Sequence, residues 1–328
     1  MSARRDAVAV IGGGSVGSIL AAHLLQAGHE VYTVDRGRRF EQIRADGFVI
    51  KGRHETSIRP AVLLKSVEEL EPHADCIRVC FICTKTWALD SVLPALKKVL
   101  RPEATVVSFQ NGIGPEDDVA RFFPRERVGR AVVNLGCNVL RDGSVQVQWS
   151  TPPHYFGAID GGGAVMRPWA DLLTEAGLAT EFVSQHEVRK RGFFKTILNA
   201  SLSPLCASAG MTMREAMQSK HARAMVAMLV REGLTVGAAI GYHYGPDAEA
   251  QCLCYLDAGG DHRPSMWADL ERGSRTEIEH MNGKIIKLGR AFGDIDVDVN
   301  VFFASMIMSL EIKSGARAAG DVPDYVAL

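Results

Sequence analysis

The stretch that decides the fold is AVAVIGGGSVGSILAAHLLQAGHEVYTVDR, residues 7–36. Val8, Val10 and Ile11 make a short apolar run. Gly12, Gly14 and Gly17 follow in the pattern G-x-G-x-x-G, with Gly13, Ser15 and Val16 between them. The periodicity from about Ser15 to Ala27 predicts a helix, and HEVYTVD predicts a second strand. Alone, three spaced glycines say little. Between a strand and a helix, in a unit of about thirty residues, they are the fingerprint of a dinucleotide-binding turn. Gly12 permits the tight turn, Gly14 lets backbone approach a pyrophosphate, and Gly17 lets the helix pack on the strand. The first-turn N–H groups at Ser15 and Val16 have no intrahelical acceptor and face an anion with the positive end of the helix dipole. The alternative is a glycine turn that holds no ligand.

Asp35 closes the second strand, where an acid takes the ribose hydroxyls of NAD. Arg36 follows at once, then Arg38 and Arg39, which could clamp the 2′-phosphate of NADP. An acid at the strand end repels a phosphate, so the residues lean to NAD. Asp35 could also simply cap the next turn.

Working outward, CIRVCFICTK reads as an apolar strand and WALDSVLPALKKVL as a helix. ATVVSFQNGIG is another strand ending in a glycine loop. RVGRAVVNLGCNVLRDGSVQVQW and HYFGAID read as strands joined by turns, RDGS being a hairpin signal. The order predicts an α/β domain with a mainly parallel sheet and later antiparallel additions. In such sheets ligands gather at the carboxyl ends of strands. Thr84, Lys85 and Thr86 follow one strand end; Gln110, Asn111 and Gly112 follow the next.

The bulk numbers exclude several classes. Lys plus Arg is 37 against 38 for Asp plus Glu, which leaves no global bias toward nucleic acid or an anionic membrane. With 47% hydrophobic and 23% charged residues the profile is that of a globular protein, and 328 residues suit two domains. The apolar run before Gly12 is too short for a signal or a membrane span, so the expected compartment is the cytoplasm. Seven cysteines in this length do not make a disulfide framework. Cys80 and Cys83 spell C-x-x-C, but on a strand residues three apart point to opposite faces, so no metal site is expected there. Cys252 and Cys254 receive the same reading.

From about Gln185 strand patterns stop and Ala, Met and Leu rise. Helices are expected near 187–209, 221–241, 247–258, 265–272, 274–292 and 297–314, giving a division into residues 1–184 and 185–328. Within RKRGFFKTILNASLSPLCASAG, residues 189–210, Phe193, Phe194, Ile197, Leu198, Leu202 and Leu205 are apolar. Lys195, Asn199 and Ser203 recur every fourth residue and so form one polar stripe on a helix. The stripe could merely face water, but its flanks are apolar and Pro204 follows Ser203. Glu277, in RTEIEHMNGKII, is a further candidate; by pattern alone it reads as an exposed helix glutamate.

Over nearly its full length the chain resembles the ketopantoate reductases (2-dehydropantoate 2-reductases). The match is carried by GGGSVGS, CTKTW at 83–87, QNGIG at 110–114, FKTILNASLSPL at 194–205 and SMWADLERGSRTEIEHMNG at 265–283. The resemblance implies a Rossmann-like NAD(P)-binding domain and a C-terminal all-helical domain of the 6-phosphogluconate-dehydrogenase-like type, with the active site in the cleft between them. It implies reduction of the 2-dehydropantoate ketone with NADPH in pantothenate biosynthesis. By motif, Lys195 is the catalytic lysine and Glu277 its acidic companion. Asn199 touches the substrate oxygen, and Asn111 sits beside nicotinamide and substrate. Lys85 lies near the cofactor, Ser265 holds the substrate carboxylate, and Arg36 matches the arginine used on the 2′-phosphate. Asp35 departs from that pattern. So do Ser203, where the family commonly has a second asparagine, and His262, where it has an asparagine three residues before the serine. Both fall on groups that hydrogen-bond pantoate.

Three functions remain open from the sequence. One is a ketopantoate reductase proper. Another is a relative with the same chemistry on another 2-oxo or 2-hydroxy compound, with the oxidative direction and NAD as one form of it. The last is a nucleotide sensor that has lost catalysis, against which Lys195, Asn199, Ser265 and Glu277 argue. The expected partner is a small 2-oxo or 2-hydroxy acid, with no nucleic acid, membrane or metal; a homodimer is among the assemblies this reading allows.

Overall fold

The computed structural model describes residues 6–293, 295–323 and 325. The chain divides into two compact units. The first runs to Gln110 and resumes at Gly114–Arg191; the second takes Asn111–Ile113 together with the chain from Gly192 onward.

The first unit contains β1 (Ala7–Ile11), α1 (Ser15–Gln26), β2 (Glu30–Val34), α2 (Gly37–Asp46), β3 (Phe48–Gly52), β4 (Thr56–Ile58), β5 (Val62–Leu64), β6 (Ile77–Ile82), α3 (Leu89–Val99) and β7 (Thr105–Ser108). It continues with α4 (Pro115–Val119), β8 (Val128–Val132), β9 (Leu135–Val139), β10 (Val145–Ser150), β11 (His154–Ala158), α5 (Gly163–Glu175) and β12 (Thr180–Phe182). Eight strands form one sheet in the order β12-β11-β8-β7-β6-β1-β2-β5. All its neighbours run parallel except β8 and β11. Every residue of β1 is buried, as is all of β6 but Arg78, because helices cover both faces of a parallel sheet. One apolar core joins the sheet to α1 and α5, the other to α3. The chain leaves β1 for β2 on one side and returns to β6 on the other, so the carboxyl end of β1 is the switch point where ligands bind in such sheets.

One expectation needs correction here. The hairpin at RDGS forms, with β9 and β10 antiparallel and Gly143 at φ +88°. It does not extend the main sheet. It pairs with β3 and β4 in a separate sheet of order β4-β3-β10-β9, whose apolar side packs with α1 in the core.

The helical unit is built from α6 (Gln185–Ala209), α7 (Met213–Gln218), α8 (Lys220–Ala239), α9 (Ala248–Asp257), α10 (Ser265–Glu271), α11 (Asn282–Ala291) and α12 (Asp298–Ser314). Residues of α6 through Arg191 pack with the sheet unit. Arg189 binds both Asp117 oxygens at 2.8 and 2.7 Å, and a Cβ on Gly157 would lie 2.8 Å from Val188. The packing division therefore falls at 191/192 rather than at 184/185. The short α7 was absent from the expected helices, although TMRE at 212–215 spells its capping box, with both reciprocal bonds made. The expected helix 274–292 is wrong in its first half. Only Ile278–His280 forms a 3-10 turn there, and the α-helix starts at Asn282.

Candidate functional site

In the glycine loop each residue has a separate physical reason. Gly12 sits at φ +96°, where a Cβ would also lie 3.0 Å from the Thr84 nitrogen. A Cβ on Gly17 would lie 1.9 Å from the Gly12 carbonyl oxygen, so only glycine lets α1 seat on the loop. A Cβ on Gly13 would lie 2.6 Å from Asp35 Oδ2. Gly14 is different. Its φ is −60°, open to any residue, and a Cβ there would meet nothing within 4 Å. The protein's own packing gives no reason for glycine at 14. Gly14 is also the N-cap of α1 with no side-chain cap, which leaves the first-turn N–H groups at Ser15, Val16 and Gly17 for an anion. These residues fit a dinucleotide pyrophosphate.

Asp35 is held at the end of β2 by two backbone donors. Gly13 N–H donates to Oδ2 at 2.7 Å and Arg36 N–H to Oδ1 at 2.8 Å. Burial raises its carboxyl above the usual range, and those two bonds work against the rise. Each oxygen keeps a second lone pair for a hydroxyl. Of the three arginines read as phosphate clamps, Arg39 has to be withdrawn. Its guanidinium donates to the Gly13 carbonyl at 2.6 Å, the Gly143 carbonyl at 2.5 Å and Ser18 Oγ at 2.8 Å, bracing the glycine loop. Arg38 donates to the Arg141 carbonyl at 3.0 Å, while Arg36 is exposed.

The neighbouring strand ends are fixed against this loop. Cys83 N–H donates to the Ile11 carbonyl at 2.8 Å, which sets Thr84 beside Gly12 and leaves half-buried Lys85 next in line. Buried Gln110 accepts from Ser108 Oγ at 2.6 Å and reaches Thr84 Oγ1 at 3.5 Å, tying the ends of β6 and β7 together. Arg130 supports it by donating to Ser108 Oγ at 3.1 Å.

In the helical unit, Lys195, Asn199 and Ser203 are each half-buried along α6, while Phe193, Ile197, Leu198, Ala200, Leu202 and Leu205 are buried around them. A solvated polar face would be exposed; this one is largely covered. Pro204 has no N–H, so the Ala200 carbonyl loses its helical donor. Asn282 Nδ2 takes that carbonyl at 3.0 Å and the Asn300 side-chain oxygen at 2.9 Å. The start of α11 is thereby fixed one residue from Asn199. Glu277 is 5% exposed and lies outside any α-helix, which overturns the exposed-helix reading. Its carbonyl accepts from His280 N–H at 3.0 Å, and the His280 carbonyl accepts from Ile113 N–H at 2.8 Å. Gly112 is required at that contact: φ is +96°, and a Cβ would lie 2.6 Å from the His280 oxygen. The structure thus brings the Asn111–Ile113 loop to the Glu277–His280 turn, and that turn, through Asn282, to α6. Ser265 is the exposed first residue of α10. His262 is half-buried, and burial pulls its imidazole below the usual value, so it is neutral near pH 7 and offers a ring rather than a charge. Thr276 and Asn282 lie inside the quoted motif with no role read for them, and Glu311 and Arg317 lie outside every motif. Their partners lie far away in the chain, and spacing carries no signal for them.

Models of known families match both units: ketopantoate reductase PanE/ApbA over residues 8–161, and its C-terminal domain over 187–311. The 2-dehydropantoate 2-reductase of Archaeoglobus fulgidus is 31% identical over 94% of this chain and 99% of its own. That of Aquifex aeolicus is 25% identical over 92% and 96%. Among solved structures, D-mandelate dehydrogenase with NADH and anilino(oxo)acetate superposes with a TM-score of 0.83 at 25% identity, covering 94% of this chain and 99% of that one. A PanE/ApbA family ketopantoate reductase from Ralstonia eutropha has a TM-score of 0.82 at 24% identity, over 94% and 99%. A Rossmann-type sheet followed by a helical unit, both matched in order, makes this chain a member of the ketopantoate reductase PanE/ApbA family and an NAD(P)-dependent oxidoreductase.

Proposed function

We propose that the protein reduces the ketone of a 2-oxo acid to the 2-hydroxy acid, prefers NADH, and uses Lys195 as its proton donor. The observation that carries this is the half-buried stripe Lys195–Asn199–Ser203, with the adjoining α11 start locked against it and Glu277 buried in the turn just before. When bound, the nicotinamide supplies the hydride. Gly12, Gly13, Gly14, Ser15, Val16 and Gly17 cradle the pyrophosphate, Asp35 takes ribose hydroxyls, and Lys85 lies near the coenzyme. The Lys195 ammonium gives a proton from Nζ to the carbonyl oxygen and stabilises the charge that develops there. Glu277 favours the charged lysine. Asn111 and Asn199 orient the oxygen, and Ser265 holds the carboxylate. None of the seven cysteines forms a disulfide, which suits the reducing cytoplasm.

NADH is favoured by the fixed carboxylate of Asp35 and by Arg39, whose guanidinium is committed to the loop itself. Initial rates with NADH and NADPH test this, across 2-oxo acids from ketopantoate to aryl-substituted ones. A strong native preference for NADPH, set by Arg36, would overturn the coenzyme assignment.

A second reading has the same site working oxidatively with NAD on a bulkier 2-hydroxy acid. Two observations favour it: the match to D-mandelate dehydrogenase with NADH, and the presence of the uncharged ring of His262 and the shorter Ser203 at the two positions where the family has amides. A site that lacks hydrogen-bonding groups for pantoate loses discrimination in its favour. Ketopantoate should therefore be a weak substrate. Ser203→Asn with His262→Asn should raise its rate relative to the better substrate. Native ketopantoate reduction at about 10⁴ M⁻¹s⁻¹ or more, inside the ordinary enzyme range, would sink this second reading.

A further inference from the structure

Helix α12 buries Asn300, Ala304, Ile307, Met308 and Glu311 along one face. The last of these is an oddity. A glutamate has been placed on the core side of an apolar helix, and its side chain is 0% exposed. A buried carboxylate persists only if it is paired and hydrogen-bonded. Glu311 is fully engaged. Arg317 Nε donates to Oε2 at 2.7 Å, and the arginine side chain is itself 0% exposed. Thr276 donates twice to Oε1, from its backbone N–H at 2.7 Å and from its hydroxyl at 2.6 Å. The same hydroxyl accepts from Ile278 N–H at 3.2 Å. Gly315, at φ +79°, ends α12 and turns the chain so that Arg317 folds back onto Glu311.

Thr276 precedes Glu277 and Ile278 follows it. One neighbour, Thr276, is thus held by the Glu311 carboxylate directly and the other, Ile278, through the Thr276 hydroxyl, at a point that lies outside any α-helix and where only a short 3-10 turn begins. Arg317 extends the hold by donating from Nη2 to Glu279 at 2.9 Å. Replacing such an ion pair by apolar side chains is often neutral or stabilising, so fold stability alone gives a weak reason to keep it. Fixing a short irregular segment is a stronger one.

We propose that Glu311 and Arg317 are a positioning pair that sets the backbone of Glu277 through Thr276, and so sets its carboxylate for Lys195. This rests on reading Glu277 as the acidic companion of Lys195. Neither residue of the pair touches substrate; their effect passes through Thr276.

The test uses the full chain with NADH and the best 2-oxo acid found for it. Thr276→Val removes the hydroxyl that links Ile278 to Glu311 and keeps the shape. It should lower kcat by about tenfold to a hundredfold, the cost of a small misplacement in a site. The affinity for NADH, read by fluorescence titration, should be unchanged. Thr276→Ser keeps the hydroxyl and should restore turnover. The pH–rate profile of Thr276→Val should be displaced from the native one, which a loss of stability alone would not do. Glu277→Gln is measured alongside. If Glu277→Gln is disabled while Thr276→Val melts earlier but turns over at the native rate, the pair is only a scaffold and the proposal falls. If valine at 276 prevents folding, Glu311→Gln decides by the same criterion, since the amide keeps an oxygen for Thr276 and turns a donor toward Arg317. Native turnover in Glu277→Gln, which leaves the Glu311 pair intact, would instead remove the reading on which the proposal rests.

Discussion

Asn282 takes the helical acceptor that Pro204 leaves open. Residue 204 would ordinarily donate to the Ala200 carbonyl; proline cannot, and Asn282 Nδ2 does so at 3.0 Å. The proline ring thus creates a side-chain socket on α6 one residue from Asn199. Asn282→Ala leaves the Ala200 carbonyl and the Asn300 side chain short of a donor in a fully buried place. The expected loss is about 2 kcal/mol or more. Pro204→Ala supplies the missing N–H, so the double variant should be less destabilised than Asn282→Ala alone. Denaturant midpoints for the four proteins close the cycle, and simple additivity would contradict the coupling.

Lys195→Ala should reduce turnover by about a hundredfold to ten-thousandfold, the range for loss of a general acid. Coenzyme binding should change little, because every contact proposed for the pyrophosphate lies in the glycine loop. Single-turnover rates and a fluorescence titration separate the two effects. A folded variant with near-native turnover would remove Lys195 from the chemistry.

Asp35→Ser, with Arg36 retained, should move the ratio of kcat/KM values toward NADPH. Arg39→Met should act differently. It removes three hydrogen bonds from a charged donor to the loop at Gly13, Ser18 and Gly143. Affinity for NADH and NADPH should then fall together, by about tenfold or more for bonds of this kind. A selective loss of NADPH binding in Arg39→Met would show that this arginine reads the phosphate after all.

Two glycines of the motif, Gly14 and Gly17, should respond in opposite ways to alanine. Gly17→Ala places a methyl 1.9 Å from the Gly12 carbonyl oxygen and should unseat α1, lowering the melting temperature. Gly14→Ala meets nothing in the protein, so the fold should be as stable as the native one while NADH affinity drops. Thermal melts with and without NADH distinguish them; unchanged NADH affinity in Gly14→Ala would mean that no ligand comes close there.

The cluster around Glu279 predicts acid sensitivity. Burial alone would raise this carboxyl, but Arg317 at 2.9 Å and Arg275 at 2.6 Å outweigh it and hold the group below its ordinary value of 4.5. A depressed acid adds stability that is present above that value and is lost as pH falls through the folded one. Asp321 pairs with both of these arginines, and the buried Glu311 with Arg317. Urea midpoints should therefore fall below about pH 4.5, and less steeply in Glu279→Gln. Parallel curves for the two proteins would exclude Glu279 as a source of the acid dependence.

The order strand, glycines, helix, strand determines the sheet unit because each element follows from local pattern. Val8, Val10 and Ile11 can only be buried, Gly12 and Gly17 have no steric alternative, and the fourfold spacing of Lys195, Asn199 and Ser203 puts them on one helix face wherever that helix packs. Tertiary structure decided what local pattern cannot encode. Arg39 reads as a phosphate clamp until Gly143, more than a hundred positions away in the chain, is beside it. Glu277 reads as an exposed helix residue until Glu311 draws its neighbour Thr276 out of helical geometry. Asn111 belongs by sequence to the end of β7, yet by packing to the helical unit, through the bond from Ile113 to His280. In each case the deciding partner is distant along the chain, and a hydrogen bond between distant residues leaves no period in the sequence for pattern to detect.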